Sequence, residues 1–140
     1  MKISKLDRTV ALARALGHPA RLRTIAVLRS GELCVCQITE MLGLASSTVS
    51  AHLKELRQTG LTTERKQGRW VYVTLTDDQP VRAWIDSTLA AVADDLQVAA
   101  DAALVEELRC LPVEELCRLG FDEARARRAP DTSHKGATVT

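Results

Sequence analysis

The chain has 140 residues and 15.3 kDa, with 46% hydrophobic and 26% charged residues, the size and composition of one globular domain, which excludes a large multidomain enzyme. No run reaches the roughly 18 uncharged apolar residues that span a bilayer, and MKISKLDR leads into an amphipathic stretch rather than a signal-peptide core, so a cytoplasmic protein without a membrane partner is expected. The formal net charge of +1 conceals a division: residues 1–70 carry 12 Lys+Arg against 5 Asp+Glu, whereas residues 71–140 carry 7 against 13. A half that basic suits a polyanion such as DNA, and the acidic half would repel one.

In chain order, Leu6, Val10, Leu12, Ala13 and Leu16 follow helical spacing up to Gly17, which predicts a first helix over 6–16. Pro19 suits the first position of a second helix, carried by Leu22, Ile25, Ala26 and Leu28 and stopped at Ser30-Gly31. Residues 36–43 predict a short amphipathic helix. Leu44-Ala45 connect it to a polar helix in which Ser46 is the expected N-cap, Val49, Leu53 and Leu56 face inward, and Gly60 ends the pattern. Residues 61–66 and 70–75 alternate in type around Gln67-Gly68-Arg69, a β-hairpin with a basic tip. After Asp77-Asp78-Gln79-Pro80, residues 81–109 run without Gly or Pro through Trp84, Ile85, Leu89, Val92 and Leu96, and one long helix is predicted. Pro112 ends it, VEELCRL forms a shorter helix up to Gly120, and apolar periodicity is lost beyond.

The predicted fold is therefore mainly α with a small β-hairpin: a winged helix-turn-helix, whose second helix enters a major groove while the hairpin reaches the adjacent backbone. The exposed recognition face would present Ser46, Ser47, Thr48, Ser50, Ala51, His52, Lys54 and Arg57, with Arg65, Lys66 and Arg69 on the wing. Short hydroxyls near a helix N-terminus allow close approach to bases and phosphates, and the cations farther along suit phosphates. His52 either donates to DNA or fills the surface between helices.

Residues 10–75, which include ALGHPARLRTIAVLRSGELCVCQITEMLGLASSTVSAHLKELRQTGLTTERKQGRWVYVTL, resemble the ArsR/SmtB winged-helix repressors of metal and metalloid resistance. The resemblance implies a homodimeric transcriptional repressor that leaves double-stranded operator DNA on binding an effector, dimerising through the first and last helices, here 6–16 and 81–109. Two-fold symmetry would also set recognition helices roughly 34 Å apart to meet successive major grooves. The implied domains are a DNA-binding and dimerisation unit over 1–109, a helical extension with two cysteines over 110–128, and a disordered tail over 129–140.

The four cysteines are expected to be metal ligands, redox sensors or buried side chains, since the cytoplasm keeps thiols reduced. Cys34 and Cys36 stand at the start of the helix-turn-helix, where ligand binding would change the angle of the reading head. They form the ELCVC segment shared most closely with arsenic-sensing relatives. The arsenic sensors of the enterobacterial type carry a further cysteine where this chain has Thr39, and the cadmium and lead sensors recruit cysteines from an N-terminal arm that it lacks. The missing ligand falls to Cys110 or Cys117: either completes an S3 set for trivalent arsenic or antimony, and both together an S4 set for Cd, Pb or Zn. The other reading of Cys110 and Cys117 is two small buried hydrophobes beside Leu108, Leu111, Leu116 and Leu119. Zinc or nickel bound on the last helix needs histidine, and none lies between residues 53 and 133, although Asp86, Asp94, Asp95 and Asp101 supply carboxylates; His134 is in the tail. A thiol redox sensor on the same scaffold is the alternative. An enzyme is not expected: there is no Gly-rich phosphate loop and no CxxC motif, and 3% aromatic residues leave little with which to line a substrate pocket.

Overall fold

The computed structural model describes residues 3–128, so the expected tail over 129–140 lies outside the described residues. The elements are α1 (Lys5–Leu16), α2 (Pro19–Leu28), β1 (Leu33–Cys34), α3 (Val35–Leu42), α4 (Ser46–Gln58), β2 (Thr62–Gln67), β3 (Trp70–Leu75), α5 (Gln79–Ala90), α6 (Leu96–Arg109), α7 (Val113–Leu119) and α8 (Phe121–Arg128). The helix-turn-helix is α3–α4 and the wing is β2–β3, as the sequence predicts. None of these helices is long and apolar enough to cross a membrane.

Local chemistry sets the boundaries. Ser4 caps α1 by accepting from the Asp7 N–H, and the Nδ1 of His18 accepts from the Ala20 N–H ahead of Pro19. Gly43 ends α3 in the left-handed conformation at φ 66°, which lets the chain turn sharply into α4. The N-cap of α4 is Ala45 and not Ser46, which is already the first helical residue; its hydroxyl is thereby left outside the capping role.

Two further expectations are corrected. The small sheet has three strands, in the order β1-β3-β2, because Leu33 and Cys34 pair antiparallel with Val73 and Tyr72. Two residues are too short a run for an alternation pattern to reveal a strand. The predicted helix over 81–109 is two helices. Asp95 takes the extended N-cap conformation and accepts from the N–H groups of Gln97 and Val98, restarting the chain as α6. Beyond Gly120, residues Phe121–Arg128 form α8, held by buried Ala124, acidic residues in the first turn, arginines in the last, and the Glu123–Arg127 pair.

One apolar core joins these elements, with Ile25 of α2, Leu33 of β1, Ile38 of α3, Leu56 of α4, Val73 of β3, Ile85 of α5, Leu108 of α6 and Leu116 of α7 all fully buried. The C-terminal helices are thus docked on the reading head through the core, with α6 packed on α2 and α7 on α3. A buried carboxylate fixes α6: Asp101, 3% exposed, accepts from Nε and Nη2 of Arg23 at 2.8 and 2.9 Å and from Nε2 of Gln97 at 2.9 Å. Ile3, Leu6, Val10 and Leu96 remain exposed, so the stripe read through α5 and α6 splits: Leu89 is core, Trp84 and Val92 are half-buried, and Leu96 faces outward.

Candidate thiol centre and nucleic-acid interface

The thiol centre is assembled from both ends of the chain. Cys34 is the last residue of β1 and the N-cap of α3, Cys36 lies in the first turn of α3, and Cys117 lies on α7. Their sulfur atoms all lie within 4.8 Å of one another. Metal–thiolate bonds of roughly 2.3 Å put two sulfurs of one ion less than about 4.6 Å apart, so small side-chain rotations bring these three onto a single ion. Cys110 does not join them: it is exposed at the end of α6, its thiol directed at the carbonyl of Glu106. Neither sequence reading of the C-terminal pair holds for both residues, since Cys117 reaches the centre within its own chain and Cys110 is not buried.

Cys36 and Cys117 are joined as a disulfide with Cα atoms 5.6 Å apart, and Cys34 and Cys110 are free; the sequence reading expected reduced thiols and allowed such a bond only in its redox-sensor alternative. Burial pushes the Cys34 thiol above its ordinary pKa, against the opposing pull of the backbone N–H groups of Cys36 and Val35. Gln37, itself buried, positions this end of α3: its Oε1 accepts from the Cys34 N–H at 2.8 Å. The Cys-x-x-Gln spacing of a capping box was the signal in the sequence. From the opposite side Arg109 donates to Ser30 Oγ and the Gly31 carbonyl, anchoring the turn that leads into β1.

The reading surface is laid out on α4 and the wing. Ser46, Ser47, Thr48, Ser50, Ala51, Lys54 and Arg57 are exposed along α4, and Arg65, Lys66 and Arg69 along the wing. Lys54, Lys66 and Arg69 make no ion pair among the described residues, whereas Arg57 is bonded to Glu64 at 2.9 Å and Arg65 grips Glu32 through two nitrogens. Arg65 also lies over the Tyr72 ring at 4.5 Å, and Arg69 over Trp70 at 5.2 Å. These carboxylates were not singled out in the sequence, because pairing across strands depends on register. His52 is half-buried against His18, ring centroids 4.4 Å apart, with its Nδ1 3.4 Å from Arg21 Nη1. Burial, then the proximity of His18 and Arg21, holds its pKa below the ordinary histidine value. Among the described residues the acidic side chains of the C-terminal half form no metal cluster: Asp101 is committed to Arg23, Asp95 to its cap and Asp86 to Arg29.

A helix-turn-helix with an adjoining β-wing and a basic, hydroxyl-rich second helix defines a DNA-binding regulator of transcription. Residues 18–63 match the profile described as bacterial regulatory protein, arsR family. The chain is 37% identical over 98 residues to the arsenic resistance transcriptional regulator ArsR1 of Pseudomonas putida, spanning 68% of this chain and 75% of that protein. It belongs to the ArsR family of winged helix-turn-helix repressors. Among solved structures it is similar to HlyU of Vibrio cholerae, with a TM-score of 0.59 and 30% identity over 66% of this chain and all of that one. A homodimeric winged helix-turn-helix domain of a possible ArsR-family regulator from Mycobacterium bovis gives a TM-score of 0.57 at 25% identity, covering 69% and 93% of the two chains.

Proposed function

We propose that this protein is a homodimeric, cytoplasmic repressor that holds double-stranded operator DNA and releases it when trivalent arsenic or antimony is bound by Cys34, Cys36 and Cys117. The observation that carries the reading is the convergence of three sulfurs from β1, α3 and α7 within 4.8 Å. Charge favours a trivalent ion: three thiolates neutralise it completely, and a neutral complex suits a centre with one fully buried member. A divalent Cd, Pb or Zn ion on three thiolates keeps a negative charge and lacks the fourth ligand of an S4 set, which Cys110 does not supply here. The ion would pin α7 to the first helix of the helix-turn-helix, and a coupling of a few kcal/mol at that joint is enough for release.

Ser46, Ser47, Thr48, Ser50, Lys54 and Arg57 on α4, with Lys66 and Arg69 on the wing, are the residues we assign to DNA, His52 serving mainly to seat α4 on α2. The exposed Leu6 and Val10 on α1 and Leu96 on α6 support a dimer through the first and last helices of a 1–109 unit, the 110–128 extension supplying the effector ligand. No enzymatic step is assigned.

The test is fluorescence anisotropy of the protein on its own promoter DNA in reducing buffer, titrated with arsenite, antimonite, cadmium and zinc. Arsenite or antimonite should release the wild type and Cys110→Ser but not Cys34→Ser, Cys36→Ser or Cys117→Ser. Release by cadmium or zinc alone would overturn the assignment. The Cys36–Cys117 disulfide supports a second reading, in which oxidation of these two thiols is itself the signal. That reading requires release by oxidant without metalloid and no response in strictly reducing buffer.

A further inference from the structure

Arg65, Lys66 and Arg69 are all exposed on the wing, yet Arg65 differs from the other two in being fully engaged within the protein. Its Nε and Nη2 grip the Glu32 carboxylate, its Nη1 donates to Oε1 of Gln67 at 2.9 Å, and its guanidinium carbon lies 4.5 Å from the centre of the Tyr72 ring. Arg57 is also ion-paired, but with Glu64 of the wing itself, so that pair stays within the reading head. Glu32 lies outside it. It immediately precedes β1, two residues before Cys34, at the turn that Arg109 anchors from α6.

The sheet adds a second connection between Arg65 and the thiol centre. In the order β1-β3-β2, Cys34 stands opposite Tyr72 and Tyr72 opposite Arg65. A cysteine of the centre, the ring beside the guanidinium and the arginine itself therefore occupy one cross-strand row. A forked guanidinium suits a phosphate as well as a carboxylate, and the same nitrogens cannot serve both at once.

We propose that Arg65 is a further phosphate ligand of the wing, that Glu32 competes with DNA for it, and that the thiol centre, through β1, sets how readily this arginine is released to DNA. In this structure Cys36 and Cys117 are joined and Arg65 is on Glu32: the centre is closed and the arginine withheld. The link to the centre rests on the thiol signalling proposed above; the competition for Arg65 does not. Arg65 is 50% and Glu32 29% exposed, so the hold is weak enough to yield to a phosphate. An exposed ion pair is worth a factor of about two to five, and the fraction of Arg65 left free scales the apparent affinity for DNA. Glu32 remains an anionic rival, since its hydrogen bonds with Arg65 hold its carboxyl below the ordinary glutamate pKa.

The experiment measures fluorescence anisotropy of the full chain on its own promoter DNA, in reducing buffer over a range of salt concentrations. Glu32→Gln should bind about two- to fivefold more tightly per protomer than wild type. Arg65→Gln should bind more weakly and lower the slope of log K against log salt by about one per protomer, while Arg65→Lys keeps the slope. In an Arg65→Gln background, Glu32→Gln should add nothing. A Glu32→Gln variant that binds no tighter than wild type would make the pair a strut that shapes the wing, and an unchanged slope in Arg65→Gln would take Arg65 off the DNA; either result overturns the proposal. Arsenite, or diamide to close Cys36–Cys117, should then weaken DNA binding by wild type at least about twofold more than by Glu32→Gln. Equal losses overturn the link to the centre. If neither treatment weakens the wild type, the thiol-signalling reading falls and the link with it, while the affinities and salt slopes in reducing buffer still decide the competition for Arg65.

Discussion

Asp101→Ala tests the buried ion pair that fixes α6 on α2. The carboxylate is 3% exposed and its partner Arg23 24%, and three hydrogen bonds converge on it from Arg23 and Gln97. Removing one member of a buried pair costs about 3–5 kcal/mol, mainly because the other charge is stranded. Arg23 retains some contact with water, so Asp101→Ala should cost less, about 2–4 kcal/mol, and Arg23→Ala more, since it leaves the carboxylate in the core with a single amide donor. The double variant should be less destabilised than the two single losses added together, with a coupling of about 1–3 kcal/mol. Urea unfolding followed by circular dichroism, at one fixed protein concentration, measures all four proteins; at about 2 kcal/mol per molar urea, Asp101→Ala lowers the midpoint by roughly 1–2 M. Additive losses, or Asp101→Ala more damaging than Arg23→Ala, would refute the argument from stranded charge.

Gly43→Ala places a Cβ where φ is 66° with open space around it, so the loss is conformational alone, about 1 kcal/mol, visible as a melting point lower by a few degrees. His52 is neutral near pH 7 with its pKa depressed in the fold, so its contribution to stability is present above the unfolded value of about 6.5 and is lost as pH falls through the folded one. Urea midpoints at pH 7.5 and 5.5 should therefore differ more for wild type than for His52→Gln; equal differences would remove His52 from this role. Arg69→Ala should weaken operator binding and reduce the dependence of log K on log salt by about one per contacted phosphate, whereas an unchanged slope would take Arg69 off the DNA. Iodoacetamide should modify exposed Cys110 first and buried Cys34 last, as read by peptide mass mapping of the reduced protein.

Where one residue type acts locally, the sequence was readable. Val49, Leu53 and Leu56 announced the inner face of α4, and alternation around Gly68 announced the wing, because period and turn chemistry are written in neighbouring residues. Where a position depends on a distant partner, it was not. Asp95 looked like one more polar residue in a long helix, and only its bonds to Gln97 and Val98, with Asp101 drawn to Arg23, mark the restart of the chain. The thiol centre divides in the same way. Cys34 and Cys36 were evident as a local pair, but the choice between Cys110 and Cys117 is made by the turn at Cys110–Pro112, which sends the next helix back across α3.

The joined cysteines 36 and 117 are separated by 81 positions, and between them lie the recognition helix, the wing, α5 and α6. During synthesis, the helix-turn-helix and the wing emerge from the ribosome before the third sulfur of the thiol centre. Under the proposed function, a chain that stops near residue 109 would keep the complete reading head and lose the thiol that completes the effector site. Nonsense mutations late in the gene should therefore yield permanently silent operons rather than constitutive ones, provided that the shortened chain survives the loss of Leu116 and Ala124 from its core.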